Sequence, residues 1–457
     1  MRQKTQLDLA FPPMPRGEAP TLDMEGTEAC TARADVESQA AVGPSMEAIV
    51  ERNNLRKALA QVKRNKGAPG VDGRSVDDLA AYLKDHWPNI RTQLLDGSYR
   101  PPPVRRVEIP KASGGTRALG IPTVLDRFIQ QAVLQVLQVD WDRTFSEHSF
   151  GFRPRRSAHQ AVKRAQEYIA AGHRIVVDID LEKFFDRVNH DVLMGLVAKR
   201  VSDQRILRLI RGFLTAGVLA DGVVGPTEEG TPQGGPLSPL LSNLMLDVLD
   251  WELEKRGHCF VRYADDCNIY VRSQRAGERV MASAERFLTR RLKLRISRAK
   301  SAVARPHQRK FLGFSFTSEE QPRRRIAPQA LVRFKSRVRE LTRRTCGASL
   351  KRIVAELSRY LIGWLGYFGF CETPSVLRAL DQWLRRRLRA IAWKQWKHGR
   401  TRFAELRRRG VGRDLAAQSA GSPHGPWRLG NSPALTIALP NAFLGSLGLA
   451  FLVTHAA

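Results

Sequence analysis

Cysteine is scarce in this chain and never occurs in closely spaced pairs. No Cys-x-x-Cys pair occurs, which argues against a zinc site and against a disulfide framework. The five cysteines are Cys30, Cys259, Cys267, Cys346 and Cys371. The longest apolar stretch, Ala442 to Val453, is too short to cross a bilayer. The first forty residues carry neither an apolar signal core nor an Arg-rich, acid-poor transit pattern. We therefore expect a reduced cytoplasmic protein that does not bind membranes.

Acidic residues are also in short supply. The 457 residues contain 75 Lys and Arg against 45 Asp and Glu, so the formal net charge is +30. Residues 321–410 alone hold 24 Lys and Arg and only five Asp and Glu. Such a balance is typical of proteins that displace counterions from phosphates. Nucleic acid is therefore the expected partner.

Local patterns divide the chain into segments. Residues 1–45 are rich in Pro, Glu, Ala, Thr and Gly without periodicity, and we expect a disordered leader. A helical pattern starts at Met46. The runs VRRVEIP and TRALGIP predict a hairpin around Ala112–Gly115.

Two helix starts can also be read from the sequence. Thr123 with Asp126 three residues later predicts a capped helix, and Ser238 followed by Pro239 predicts a second N-cap. From Pro322 the strand signals fade, and three helices are expected.

Adjacent carboxylates stand out in the segment RYADDCNIYV, residues 262–271. Its aromatic and β-branched flanks predict a hairpin with Asp265 and Asp266 at the turn. The segment RIVVDIDL, residues 174–181, reads as a buried strand that carries Asp178 and Asp180. Carboxylates that converge from neighbouring strands repel one another unless hard cations such as Mg²⁺ neutralise them.

These segments belong to an ordered series of motifs. The series comprises FGFRPRRSAHQAV, VVDIDLEKFFDRVNHDVL, GTPQGGPLSPLLSNLMLDVLD, YADD, LKLRISRAKS and FLGFSF. It resembles the reverse transcriptase motifs of group II intron-encoded reverse transcriptase/maturases. RYLIGWLGYF and LDQWLRRRLRAIAWKQWK resemble that family's maturase domain X.

The resemblance implies a right-hand polymerase fold. We expect α+β fingers and palm over residues 46–320 and an all-α basic thumb/maturase domain over 321–408. The tail, 409–457, either contacts DNA or packs on the thumb. Many relatives end in a metal-dependent endonuclease with paired cysteines and histidines. No such set of paired cysteines and histidines follows Cys371 here, so we expect no endonuclease.

The resemblance also assigns roles to individual residues. Asp180, Asp265 and Asp266 are the expected catalytic metal ligands, and the Leu181 carbonyl is an additional ligand. Asp178, the nearby competitor of Asp180, is expected to be structural or to support the ligands. Two Mg²⁺ ions are the expected cofactors, with Mn²⁺ as a substitute.

Five further residues are expected to contact the incoming nucleotide: Lys111, Arg117, Phe185, Gln233 and Lys300. Surface charge alone is the alternative for Lys111, Arg117 and Lys300, and a core position is the alternative for Phe185. The family commonly has proline where Ala118 stands, a departure that leaves Arg117 in place. The run LRRRLR places basic residues around most of a helix, so RNA contacts are expected from Arg385, Arg386, Arg387 and Arg389.

The implied function is RNA-directed DNA synthesis, coupled to binding of the parent group II intron RNA during splicing and retrohoming. The expected partners are that intron RNA, a DNA target and primer, and dNTPs, in a bacterial cytoplasm. Two alternatives stay open: an RNA-binding splicing cofactor with an idle polymerase site, and a reverse transcriptase of another retroelement or defence system. An RNA-dependent RNA polymerase ranks last, because Phe185 would disfavour a ribose 2′-hydroxyl.

Overall fold

The first two-thirds of the protein mixes helices with strands. The computed structural model describes residues 43–110, 116–220, 223–225, 229–231, 234–343 and 347–453. The helices of this part are α1 (Met46–Ile49), α2 (Arg52–Asn65), α3 (Leu79–Asp96), α4 (Val124–Thr144), α5 (Ala158–Ala170), α6 (His190–Ala198), α7 (Gln204–Thr215), α8 (Ser238–Lys255) and α9 (Gln274–Phe287). The strands are β1 (Val104–Pro110), β2 (Thr116–Ile121), β3 (Ile175–Ile179), β4 (Val218–Ala220), β5 (Val223–Gly225), β6 (Cys259–Tyr263), β7 (Asp266–Val271), β8 (Ala302–Ala304), β9 (Phe314–Phe316) and β10 (Arg324–Ile326).

The last third of the described residues is helical. It contains α10 (Pro328–Leu341), α11 (Leu350–Phe368), α12 (Pro374–Gln395), α13 (Gly399–Arg408), α14 (Arg413–Ala420), α15 (Pro426–Leu429), α16 (Pro433–Ala438) and α17 (Asn441–Ser446). This order of a mixed α/β part followed by a basic helical part confirms the predicted fold class. No helix among the described residues combines the length and apolarity needed to cross a membrane.

Most predicted elements are present, and two boundaries differ. The expected leader lies outside the described residues except for 43–45, and Ser45 caps α1 by accepting a hydrogen bond from the Ala48 amide. Thr123 caps α4 through the Asp126 amide, as predicted. Leu237, not Ser238, is the N-cap of α8, so that prediction was wrong by one residue. Strand β10 also lies beyond Pro322, where strands were expected to end.

The palm sheet has the strand order β6-β7-β3-β8, and its strands pair antiparallel. Val177, Ile179 and Ile269 on one face pack into the large core that also contains α4 and α8. Val176 and Tyr270, on the opposite face, pack against α5. Because both faces are buried, the strands are nearly continuous in apolar residues.

The fingers sheet has the order β2-β1-β4-β5. Strands β1 and β2 form the predicted hairpin, with Pro110 paired to Thr116 at its tip. The turn itself, 111–115, lies outside the described residues.

The tail packs on the thumb, which was one of its two expected placements. Leu444, Leu449 and Leu452 share a hydrophobic core with α10, α11 and α12. The buried carboxylate of Asp381 accepts hydrogen bonds from the backbone amides of Leu452 and Val453, at 3.0 and 3.1 Å. The aromatic residues of the thumb are largely structural, since Trp364, Trp393 and Trp396 are buried.

Candidate active site

Strand register brings the acidic residues together. Across β3 and β7, Asp178 pairs with Asn268 and Ile179 with Cys267. One further step in this register places Asp180 opposite Asp266. Across the hairpin Tyr263 pairs with Asp266, so Ala264 and Asp265 form the turn. The expected convergence of carboxylates from two neighbouring strands therefore follows from the pairing.

The surroundings of the Asp266 carboxyl group disfavour its ionised form. Its side chain reaches solvent, yet the surrounding protein removes much of its hydration. This desolvation, followed by the negative charges of Asp265, Asp178 and Asp180, raises the pKa of Asp266 to about 7. Lys310 opposes the rise. A cation bound here would relieve the repulsion, because it favours the ionised carboxylate.

Asp180 is held by its neighbours on the loop that precedes β8. The Lys300 ammonium lies 3.2 Å from the Asp180 Oδ1 atom. The Asp180 backbone amide donates to the Ser301 Oγ atom at 2.9 Å, and its carbonyl accepts from the Ser297 amide at 2.8 Å. Leu181, the next residue, is buried and bridges to Ile296. Lys300 thus contacts a carboxylate expected to bind metal, and supplies a positive charge at that position.

Asp178 has a different partner. Arg309 donates to the Asp178 Oδ2 atom through Nε at 2.9 Å and Nη2 at 2.6 Å, and its Nη2 also donates to the Lys300 carbonyl at 2.5 Å. Burial raises the pKa of Asp178, while Arg309 acts in the opposite direction. This pairing is consistent with the structural role expected for Asp178, because its charge is already matched.

The carboxylates do not form a finished metal site on their own. Within the described residues, no group of three or more His, Cys, Asp or Glu side chains is placed to hold a metal ion. The donor set is nevertheless of the hard oxygen type that Mg²⁺ prefers. Asp180 and Asp266 face each other in register, and a positive charge already stands beside Asp180. The residues therefore fit a magnesium ion in chemistry, if Asp180 exchanges Lys300 for the metal.

Phe185, for which a core position was the alternative, lies in a different environment from its neighbour Phe184. Phe184 is buried in the main core, whereas Phe185 is half-buried and packs edge-on against it at 5.1 Å between ring centroids. The Phe185 carbonyl accepts from the Thr231 amide at 2.6 Å. This bond ties the GTPQGG segment to the turn that follows Asp180.

Two glycines of the GTPQGG segment lie very close to neighbouring elements. A Cβ atom on Gly234 would lie 2.6 Å from the Gly120 carbonyl oxygen at the end of β2. A Cβ atom on Gly235 would lie 2.3 Å from the Gln130 Oε1 atom of α4. Neither position tolerates a side chain without movement of a neighbour. The segment thereby joins the palm to the fingers hairpin.

Three of the expected nucleotide contacts cannot be placed. Lys111 and Gln233 lie outside the described residues. Arg117 belongs to β2, where it pairs with Ile109, but its side chain is not among those described. Their roles remain predictions.

The thumb arginines are more deeply embedded than expected. Arg389 is buried and donates to the Leu439 carbonyl at 3.1 Å and to the Thr436 Oγ1 atom at 3.2 Å. This burial contradicts the expected RNA contact of Arg389, because the guanidinium is used to hold α16.

The three other arginines of the run are half-buried: Arg385, Arg386 and Arg387. Arg386 donates to the Trp427 carbonyl at 3.0 Å and stacks over its ring, and Arg387 donates to the Thr342 Oγ1 atom at 2.9 Å. Their contacts with RNA remain predictions.

Sequence reasoning missed several residues near the carboxylates. Arg309 and Lys310 are far from the aspartates in the chain and carry no motif that singles them out. Arg262 had a visible signal, since an arginine within the apolar run before Tyr263 must be buried or functional. The same holds for Gly151, which lies in the quoted motif FGFRPRR and contacts the Ala264 backbone.

Two family models match the chain. The model described as reverse transcriptase (RNA-dependent DNA polymerase) matches residues 109–316, and that described as group II intron, maturase-specific domain matches residues 331–410.

Three curated relatives illustrate the similarity. Protein YkfC of Escherichia coli is 40% identical over 208 residues, which cover 44% of this chain and 55% of that protein. The group II intron-encoded protein LtrA of Lactococcus lactis is 41% identical over 194 residues, covering 42% of this chain and 32% of LtrA. A 91 kDa protein in the cob intron of Schizosaccharomyces pombe is 33% identical over 206 residues, covering 45% of this chain and 25% of that protein.

The matched region thus spans about half the length of YkfC and a third of LtrA. The reverse transcriptase family match covers the sheet that carries the aspartates. The maturase family match covers the region of α10–α13. The chain is therefore similar to group II intron-encoded reverse transcriptase/maturases in both its polymerase and its maturase segments.

Proposed function

We propose that the protein is an RNA-directed DNA polymerase that copies its parent group II intron RNA and binds that RNA as a maturase. The observation that carries this proposal is the register of β3 and β7, whose continuation by one residue places Asp180 opposite Asp266, the residue that follows Asp265 in the hairpin. The second support is the order of the two family matches, polymerase first and maturase second. The substrates would be dNTPs, a DNA primer and an RNA template.

In this proposal the aspartates and the Leu181 carbonyl hold two Mg²⁺ ions, with Mn²⁺ as a substitute. When bound, the ions activate the primer 3′-hydroxyl and neutralise charge on the leaving pyrophosphate during in-line displacement. The new bond would join the 3′-oxygen to the α-phosphorus, the bond to pyrophosphate would break, and the 3′-hydroxyl proton would pass to solvent.

The chain's own residues position the substrates. Phe185 is half-buried and tied through its carbonyl to the GTPQGG segment, which suits a contact with the sugar that disfavours a 2′-hydroxyl. Lys300 loses its contact with Asp180 when metal binds, and its ammonium is then available to the departing pyrophosphate. Arg117 and Lys111 are proposed to grip the triphosphate, where a planar guanidinium suits bidentate contact.

Binding of intron RNA is assigned to the basic helical part. Its excess positive charge would attract RNA whatever the nucleotide sequence. Recognition would therefore depend on the RNA backbone and shape, and binding would weaken as the salt concentration rises. The maturase role needs no chemistry from the protein, because the folded RNA would react by itself once stabilised.

The test is primer extension on poly(rA)/oligo(dT) with dTTP and Mg²⁺. Wild type is compared with Asp265→Ala/Asp266→Ala and with a charge-matched control, Asp77→Ala/Asp85→Ala, at two exposed positions. Each protein is also titrated with intron RNA. Extension by wild type and the control, with none by the catalytic variant and equal RNA affinity in all three, is the expected result.

If wild type binds intron RNA but extends no primer on any template, the polymerase proposal fails. The protein would then act as a splicing cofactor with an idle polymerase site. Extension without intron affinity would instead favour a reverse transcriptase of another retroelement.

A further inference from the structure

The turn that presents the catalytic carboxylates has an uncommon backbone conformation. Ala264 has a φ of 56°, in the left-handed region that costs a non-glycine residue roughly 1–2 kcal/mol. It also lies between strands whose carboxylates repel one another. Such a turn keeps its conformation only when its surroundings fix it.

A buried arginine fixes one side of this turn. Arg262 belongs to β6, its side chain is 1% exposed, and its Nη1 atom donates to the Ala264 carbonyl at 2.9 Å. Its Nε and Nη2 atoms donate to Asp250 of α8 at 2.8 and 2.5 Å. Because the guanidinium is planar and held at both ends, the position of the Ala264 carbonyl is set by α8.

Asn243, about two turns before Asp250 on α8, extends the same network. Its Oδ1 atom accepts from Arg262 Nη1 at 3.0 Å, and its Nδ2 atom donates to the Gly151 carbonyl at 2.8 Å. The Phe150 amide donates to the Arg262 carbonyl at 2.9 Å. The loop at Phe150–Gly151 is therefore attached to both α8 and β6.

Gly151 closes the other side of the turn. A Cβ atom at this position would lie 2.3 Å from the Ala264 amide nitrogen and 2.9 Å from the Tyr263 carbonyl carbon. Both neighbours are backbone atoms, which cannot rotate away as a side chain could. The turn is thus enclosed between the Arg262 guanidinium and the Gly151 backbone.

We propose that Arg262, Asn243 and Gly151 are positioning residues that hold the Ala264–Asp265 turn in the geometry required for metal binding and catalysis. The inference rests on the proposed polymerase function. The physical reason is that carboxylates driven apart by like charge must be held close before a cation arrives. Arg262 and Asn243 never touch substrate; they act through the turn.

A purely structural role is the competing explanation. A buried ion pair such as Arg262–Asp250 contributes little net stability compared with apolar residues of similar volume. Replacement of both charges can therefore preserve the fold while it removes the contact to the Ala264 carbonyl. The two explanations then differ in kcat and in metal affinity, not in stability.

The first variant is Gly151→Ala, matched with Gly195→Ala on α6, where an added Cβ meets nothing within 4 Å. We expect Gly151→Ala to lower kcat for primer extension about 10- to 100-fold, because a displacement near 1 Å at reacting groups has that effect. The KM for dTTP and the affinity for intron RNA should stay within about threefold, since the substrate-binding groups are untouched. Gly195→Ala should behave as wild type.

The second variant is Asp250→Leu/Arg262→Met. It is expected to unfold near the wild-type temperature, yet to show the same loss of kcat. Metal binding supplies a readout besides activity: Mn²⁺ titrated into complexes with a dideoxy-terminated primer and dTTP, followed by electron paramagnetic resonance. Both variants should bind Mn²⁺ at least about threefold more weakly than wild type, because their carboxylates are no longer held together.

The outcomes separate cleanly. A folded variant of either kind with wild-type kcat and Mn²⁺ affinity overturns the positioning role. So does a parallel loss of thermal stability, RNA affinity and activity in both variants, since the network is then only structural. If wild type itself extends no primer, the polymerase proposal fails, while the Mn²⁺ affinities still decide whether the turn is positioned by this network.

Discussion

The palm concentrates negative charge and the thumb concentrates positive charge, and the charged side chains are placed differently in the two regions. In the palm, four aspartates meet at the ends of β3 and β7, where burial and then the neighbouring negative charges raise the pKa of Asp266. In the thumb, arginines of α12 turn inward, stack on aromatic rings and donate to backbone carbonyls. The palm therefore keeps like charges close together at one place, although Asp178 and Asp180 contact Arg309 and Lys300, whereas the thumb uses part of its charge to hold its own helices together.

The difference has a physical origin in the side chains. An aspartate side chain is short, and its position follows from strand register. Aspartates on two neighbouring strands therefore lie close together. An arginine is long and carries five donors, so it can reach carbonyl oxygens left unpaired at the ends of other helices. The Leu439 carbonyl lies at such an end, directly after α16, and Arg389 satisfies it.

The largest expected effect distinguishes two aspartates within the palm. Asp180→Asn should lower primer extension at least about 10³-fold, because loss of a metal ligand removes several kcal/mol of transition-state stabilisation. Asp178→Asn should cost less than about 10-fold, since its carboxylate is already paired with Arg309. Single-turnover rates at saturating dTTP measure both. Equal losses in the two variants would contradict the assignment of Asp180 over Asp178.

The second-largest expected effect tests whether Arg389 holds the helices of the thumb together. Arg389→Ala should destabilise the protein by about 2–3 kcal/mol, because it leaves a buried carbonyl without its donor and removes a buried guanidinium. Arg400→Ala, at an exposed position of α13, should leave stability unchanged. Urea unfolding followed by tryptophan fluorescence measures the difference. A drop in RNA affinity for Arg389→Ala at full stability would restore the surface role first expected for it.

The smallest expected effect concerns Asp126, a buried acid that differs from the buried Arg389 in its titration. Asp126 in α4 accepts from the hydroxyls of Tyr99 and Thr123 at 2.8 and 2.7 Å, and burial raises its pKa to about 6. Unlike Arg389, it can lose its charge by protonation. Because the pKa of Asp126 is higher in the folded protein than in the unfolded chain, protonation of this carboxyl group stabilises the fold. This stabilisation is complete below the unfolded pKa near 3.8 and is lost as the pH rises through 6.

Asp126→Asn removes this titration; the amide oxygen can accept from one hydroxyl while the other hydroxyl rotates to accept from the amide nitrogen. The stability of wild type relative to Asp126→Asn should therefore decrease by about 1 kcal/mol between pH 5 and pH 8. Unfolding free energies of the two proteins at pH 5, 6, 7 and 8 measure this. A constant difference across the range would mean that Asp126 is ionised in the folded protein throughout.

Much of the candidate site could be predicted because its parts are local. The hairpin at Asp265, the strand at Asp180 and the β1–β2 hairpin each follow from a few consecutive residues, and the cap at Thr123 from two residues in one turn. Other contacts could not be predicted. Arg309 reaches Asp178 from 131 positions away, and Gly151 meets Ala264 from a distant loop, so neither contact leaves a local pattern.

The sequence by itself determined the charge, the order of the motifs, the strands that carry the aspartates and the resemblance to group II intron-encoded reverse transcriptase/maturases. It did so because alternation, turn residues and composition act over short stretches of chain. Only the tertiary structure decided that Arg389 faces inward, that the tail packs on the thumb, and that Arg262 and Gly151 enclose the Ala264 turn. These depend on which distant surfaces fill one another's volume and on which carbonyl a long side chain can reach, and both are properties of the packed molecule.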